Sequence, residues 1–232
     1  MLWLLVAGTL AAAMDAPAPG DLTAALAREA SGDSAGALES VQAVVRLWPA
    51  EALPRLEAAR LLLKLGGNLD LAEAHLDVAA AVAPDNPRVH YLRGLLWEER
   101  GQPLRAARSH ELSEFYRSSY EDARFRLASL CASLGDWLKA ELHYRYLGRS
   151  RPEWVQVRLQ LVRALEEQGR EEDAEKELLL LKSEQPTHAL VIRRLAELYE
   201  RTGRPQLAAR LRASLEPPAP PKRMRPLRPS RR

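Results

Sequence analysis

One cysteine in 232 residues is too few for a disulfide framework or a cysteine-based metal cluster. Cys131 itself falls on the apolar stripe of a helix, so an inert buried thiol is expected there rather than a nucleophile. Lysine is outnumbered heavily by arginine, a bias of GC-rich bacterial genomes. No nucleophile elbow, phosphate-binding glycine loop, HExxH helix or paired-cysteine motif occurs. The five histidines, His75, His90, His110, His143 and His188, lie far apart with no second ligand at metal spacing, so packing roles are expected. The residues predict a chain that is not an enzyme and needs no cofactor or metal. What remains, 47% hydrophobic and 28% charged, is ample apolar content for one extended domain.

The two ends differ from everything between them. Leu2 to Met14 is an apolar run, shorter than the roughly twenty residues that cross a bilayer as a helix. It fits the core of a secretory signal peptide over residues 1–16, with small-residue cleavage sites after Ala13 or Ala16, although no basic residue precedes it. A periplasmic or secreted protein is the expectation; translation beginning at Met14 would instead leave a cytoplasmic one. At the other end, residues 217–232 hold six prolines and six cations, Lys222, Arg223, Arg225, Arg228, Arg231 and Arg232, with no acid. Such a segment cannot build a core and is expected to be disordered. Subtracting its +6 from the chain total of +3 leaves −3 for the rest, so the basic balance belongs to the tail. It would suit an anionic surface or an acidic partner. The alternative function is nucleic-acid or other anion binding by a cytoplasmic protein through this tail, disfavoured because basic residues do not gather on one face elsewhere.

Between the ends runs a metre. Gly32, Gly67, Gly101, Gly135, Gly169 and Gly203 are separated by 35, 34, 34, 34 and 34 residues, and five residues after each stands an alanine: Ala37, Ala72, Ala106, Ala140, Ala174 and Ala208. A fixed period in the thirties marks one supersecondary unit copied along the chain. Each glycine closes one amphipathic stretch and precedes another, as a residue free to adopt the left-handed conformation does at a helix end. Pro103 and Pro205 follow where a first helical turn tolerates proline, and Pro49, Pro84, Pro152 and Pro186 stop the second stretch. Helix, glycine turn, helix and proline stop make an antiparallel helical hairpin.

On these residues the chain resembles the tetratricopeptide repeat family. The clearest copies read Arg124, Leu127, Ala128, Cys131, Gly135, Ala140, Tyr144, Leu147, Pro152 and Ile192, Leu195, Ala196, Tyr199, Gly203, Ala208. The third copy departs, with Arg93 and His110 in places the pattern gives to leucine and an aromatic residue. The resemblance implies an all-α fold, an α-solenoid of six repeats in a right-handed superhelix. The repeats would occupy residues 18–51, 53–86, 87–120, 121–154, 155–188 and 189–216, the last capping itself with Arg210 and Arg212.

It also implies a non-catalytic scaffold or adaptor that holds a segment of another protein in a concave groove lined by the first helix of each pair. Groove-facing residues, ten and six places before each glycine, would include Leu61, Tyr91, Leu95, Phe125 and Leu159 as an apolar strip. Glu98, Glu99, Glu166 and Glu167, with Glu200, would form an acidic rim suited to a basic partner, the chain's own tail included. Groove positions carry no asparagine and Lys64 is the only lysine near them, which argues against a receptor for chaperone C-termini. Six repeats behind an export signal are similar to the pilotin-type assembly factors of type IV pili, apart from the lipidated cysteine those proteins carry after the signal.

Overall fold

The computed structural model describes residues 21–215, in which twelve helices and no strand are found. The expected signal peptide and the basic tail lie outside the described residues. The helices pair in chain order: α1 (Thr23–Ala30) with α2 (Ser34–Leu47), α3 (Ala52–Lys64) with α4 (Leu69–Val82), and α5 (Pro87–Glu99) with α6 (Pro103–Tyr116). Then come α7 (Glu121–Ser133) with α8 (Trp137–Ser150), α9 (Val155–Glu167) with α10 (Glu171–Glu184), and α11 (Ala189–Arg201) with α12 (Pro205–Ala213). The fold is all-α, a solenoid of helical hairpins. The chain divides into two compact units, the first ending at Leu147 and the second beginning at Gly148.

The turn chemistry accounts for the metre. Gly32, Gly101, Gly135, Gly169 and Gly203 all have φ between 66° and 89°, each one residue past a helix cap. After α5, Gly101 N–H donates to Glu98 O at 2.9 Å and Gln102 N–H reaches back to Trp97 O at 2.8 Å, which satisfies carbonyls the helix leaves open. The second hairpin breaks step. There the left-handed residue is Gly66 (φ 61°), not Gly67, and Asn68 caps α4 by accepting from the N–H groups of Asp70 and Leu71 at 3.0 Å each. The two-glycine turn holds one extra residue, so positions in α3 counted back from Gly67 are one residue out of register.

All six repeat alanines are fully buried. In the first unit Leu22, Ala37, Val41, Val44, Ala58 and Leu61 form one core cluster. Leu56, Ala59, Leu76, Val89, Leu92 and Leu96 form the next, so apolar contact is continuous from hairpin to hairpin as a stacked array requires. In the second unit Val157, Val162, Leu178, Leu181, Val191 and Leu195 are equally inaccessible.

A polar device recurs inside this core. Eleven places before the left-handed glycine stand Arg55, His90, Arg124 and Arg158. Their side chains bond the carbonyls of Pro49 (2.6 Å), Pro84 (2.8 Å), Ser118 (3.1 Å) and Pro152 (3.5 Å), in each case six residues upstream. Those carbonyls lie two residues past the end of the preceding second helix, where open acceptors and the negative helix end both favour a donor or cation. Arg124 and Arg158 are buried and carry counter-ions: Glu114 lies 2.6 Å from Arg124, while Glu177 at 2.6 Å and Glu184 hold Arg158. The resemblance assigned Arg124 only a place in the pattern; the structure shows what an arginine does there.

Candidate functional site

In the first unit the first helices α1, α3, α5 and α7 present one face each in register. The extra turn residue decides which side chains of α3 belong to it. Counted from Gly66, the place six before the glycine is Arg60, and Leu61 moves inward to 1% exposure within the core between the first two hairpins. Leu61 is therefore a packing residue that no partner can reach in the folded chain.

Tyr91, Leu95 and Phe125 are half-buried on α5 and α7. Tyr91 and Leu95 pack down on the second core cluster. The Tyr91 ring meets Tyr120 edge-on, with centroids 5.0 Å apart, and lies tilted 5.6 Å from His110. Phe125 meets Tyr144 edge-on at 6.3 Å, and the Tyr144 hydroxyl is bonded to Ser129 Oγ at 3.1 Å. Burial pushes both tyrosine hydroxyls on this face up, Tyr91 with help from Asp122 and Tyr120 to about 12, so both remain neutral phenols. The arrangement is two aromatic shelves on neighbouring helices, each fixed from behind by a second ring.

What fixes Tyr91 is His110, whose imidazole is fully buried. Its Nε2 donates to Glu98 Oε1 at 2.8 Å, and Glu98 Oε2 accepts from Arg126 on α7 at 3.1 Å. The ring fits because Gly94 opposes it: a Cβ at that position would come within 2.2 Å of the imidazole. Of the third copy's departures from the pattern, His110 on α6 is thus matched by Gly94 on α5, which makes room for it.

Ion pairs join the remaining first helices. Glu29 on α1 takes Arg60 at 2.5 Å and Lys64 at 2.7 Å, and Glu57 on α3 takes Arg60 at 2.7 Å and also Arg88 on α5. Arg60 and Lys64 together hold the Glu29 carboxyl down at about 2. The expected acidic rim is accordingly divided. Glu98 is engaged by His110 and Arg126, and in the second unit Glu166 is engaged by Arg194 at 2.9 Å and Arg201 at 2.7 Å. Glu99 and Glu167 are exposed. Glu200 meets Arg212. Leu159, also in the second unit, is 9% exposed at the floor of a shallow recess walled by Gln156, Gln160, Arg163, Leu190 and Arg194.

Two features escaped the sequence. One is the buried Arg124 with Glu114, the ring of Tyr146 3.5 Å from its guanidinium and His143 Nδ1 3.4 Å from Glu114; burial and Arg124 hold His143 below the usual imidazole range. The other is an apolar outer face on α6 and α8, where Phe115 is 78% and Leu142 64% exposed. The expected inert thiol of Cys131 is buried, and burial pushes its pKa up.

Residues 29–96 match the family model of the tetratricopeptide repeat. The hairpins outside that stretch have the same helix–glycine–helix construction. No curated protein matches it. Among solved structures it is similar to pilF of Pseudomonas aeruginosa, at 15% identity and a TM-score of 0.67 over 84% of this chain and 88% of that one. It is also similar to PilW, described as a widely conserved type IV pilus biogenesis factor, at 19% identity and a TM-score of 0.65 over 83% and 89%. YrrB, described as having an unusual peptide-binding site, aligns at 16% identity with a TM-score of 0.66 over 77% and 91%. At such identities the likeness is one of fold.

Proposed function

We propose that this chain is a non-catalytic adaptor or assembly factor of the bacterial cell envelope, holding a segment of another protein on the first-helix face of its first unit. The observation that carries the reading is the pair of half-exposed aromatic shelves, Tyr91 and Phe125, locked from behind by His110 and Tyr144. Rigid aromatic anchors that give up little entropy on binding are what interface hot spots consist of. Leu95 between them supplies apolar floor, and Leu159 would serve a separate contact in the second unit. The ion-paired flanks offer few uncompensated charges, so the partner is an apolar or aromatic segment, extended or helical, rather than a strongly basic one. The envelope address rests on the signal-like run Leu2–Met14 and on the described fold of PilW. No helix among the described residues is long and apolar enough to cross a membrane.

The experiment is site-specific photo-crosslinking in living cells from position 125, followed by identification of the captured chain and direct affinity measurement. Phe125→Ala should cost at least ~2 kcal/mol of binding, roughly thirtyfold in affinity, with the helical signal intact. An unchanged affinity in that variant removes the site. A captured partner confined to the cytosol removes the address.

A further inference from the structure

The third copy departs from the repeat pattern a second time at Arg93, which has no part in the first-helix face. It stands eight places before the glycine, where α7, α9 and α11 bury Leu127, Leu161 and Leu195. Arg93 instead lines an open cleft of about 350 Å³ on the second-helix side. Helices α4 and α6 wall that cleft and α5 floors it, with Trp97 beside Arg93.

The charges of the cleft are unevenly matched. Its acids come from α4, and the floor neutralises them: Arg100 holds Asp70 at 2.6 Å and Glu73 at 2.7 Å, and Arg93 holds Asp77 at 2.5 Å. Opposite, Arg105 and Arg108 stand exposed on α6 and pair with no acid among the described residues. No other second helix carries cations at both of those places. Arg105 is nonetheless held in position, because its guanidinium lies over the Trp97 ring, 4.9 Å from the centroid. An indole face orients a cation without neutralising it, so the planar fork of donors stays available. Three residues apart on one helix, Arg105 and Arg108 face the same way.

We propose that this cleft binds an acidic segment of a second polypeptide, distinct from the partner of the first-helix face. Arg105 and Arg108 take its carboxylates in charge-assisted hydrogen bonds, and Trp97 and Leu112 give its neighbouring residues apolar contact. A free phosphate fits less well, since phosphate sites draw on open backbone N–H groups at helix starts. Arg108, Ser109 and Leu112 lie inside α6, where those groups are bonded within the helix, and Ser109 Oγ already donates to Arg105 O at 2.9 Å. The main donors left are guanidinium groups beside an apolar surface.

Fluorescence anisotropy with the full chain and a labelled peptide alternating glutamate with leucine tests this. At low ionic strength the peptide should bind saturably, and added salt should weaken it as the exposed charges are screened. Arg105→Glu combined with Arg108→Glu should reduce affinity at least tenfold while the circular dichroism stays that of wild type. Arg193→Glu combined with Arg210→Glu makes the same change in net charge at exposed positions of the second unit, and should leave affinity within about twofold. That arm separates the cleft from the charge of the whole chain, its basic tail included. Phe125→Ala should bind the peptide as wild type does, which keeps this test apart from that of the first-helix face. The proposal is overturned by an absence of saturable binding, by an equal loss in the two double variants, or by loss of binding in Phe125→Ala. Displacement of the peptide by inorganic phosphate at matched ionic strength overturns it too.

Discussion

The first-helix and second-helix faces of the first unit are built on opposite principles. On the first-helix side, helices thirty-odd residues apart in sequence are joined by Glu29–Arg60, Glu57–Arg88 and Glu98–Arg126, and apolar side chains sit half-buried between those pairs. On the second-helix side Glu114 of α6 is held from beneath by Arg124 and lies 3.4 Å from His143 of α8, while Leu104, Phe115, Leu138 and Leu142 stand out into solvent. Exposure alone would nominate the outer face as the binding surface, and family resemblance alone would nominate the inner one. Locked rings between compensated charges suit a partner read by its shape, with little electrostatic steering, whereas exposed apolar side chains carry no such definition.

The largest effect is expected beneath the outer face, where α6, α7 and α8 meet around Arg124. Arg124→Leu leaves the Glu114 carboxylate without its cation, and should cost about 3–5 kcal/mol of stability in denaturant unfolding. Adding Glu114→Leu should restore a good part of the loss; a double variant no more stable than the single one would mean that the ion pair is not what Arg124 contributes. The inner face yields a smaller effect. Gly94→Ala drives a methyl group into the buried His110 ring and should cost about 1–3 kcal/mol. In a double-mutant cycle with His110→Ala the two losses should be clearly less than additive, and strict additivity would dissociate the glycine from the histidine. Smallest is the acid dependence of the α1–α3 junction. Glu29 is held at about 2 against an ordinary 4.5, so its contribution is complete above the ordinary value and is lost as pH falls toward the folded one. Between about pH 5 and pH 2, wild type should lose about 1 kcal/mol more than Glu29→Gln, a figure kept low by solvent screening. Parallel acid-unfolding curves would show that this junction draws nothing from its ion pair.

The fold was legible because its punctuation is local. A glycine past a helix end, an alanine where helices cross and a proline two residues beyond the second helix each act within a few residues of where they are read. The candidate site was less legible, for reasons that can be named. Leu61 was misplaced because Gly66 and Gly67 are indistinguishable in a string of letters, while only the former takes the left-handed conformation, and one residue of slip turns an α-helical side chain by 100°. Glu98 and Glu166 read as free acids because Arg126 and Arg194, each 28 residues further on, are brought to them only by stacking. Tyr91, Leu95 and Phe125 needed no such correction of register, since α5 and α7 end in single-glycine turns. His90, Arg124 and Arg158 stand 34 residues apart, but what they do depends on the carbonyl that each side chain meets, which only the folded chain brings to it.

On the function proposed above, the inner face and not the outer one holds the partner protein. One set of affinities tests it most directly: the captured partner against wild type, Tyr91→Ala, Phe125→Ala and Phe115→Glu under identical conditions. The first two variants should lose at least tenfold in affinity, while Phe115→Glu, altered only on the outer face, should bind as wild type does. Full binding by Tyr91→Ala and Phe125→Ala together with loss in Phe115→Glu would contradict the account.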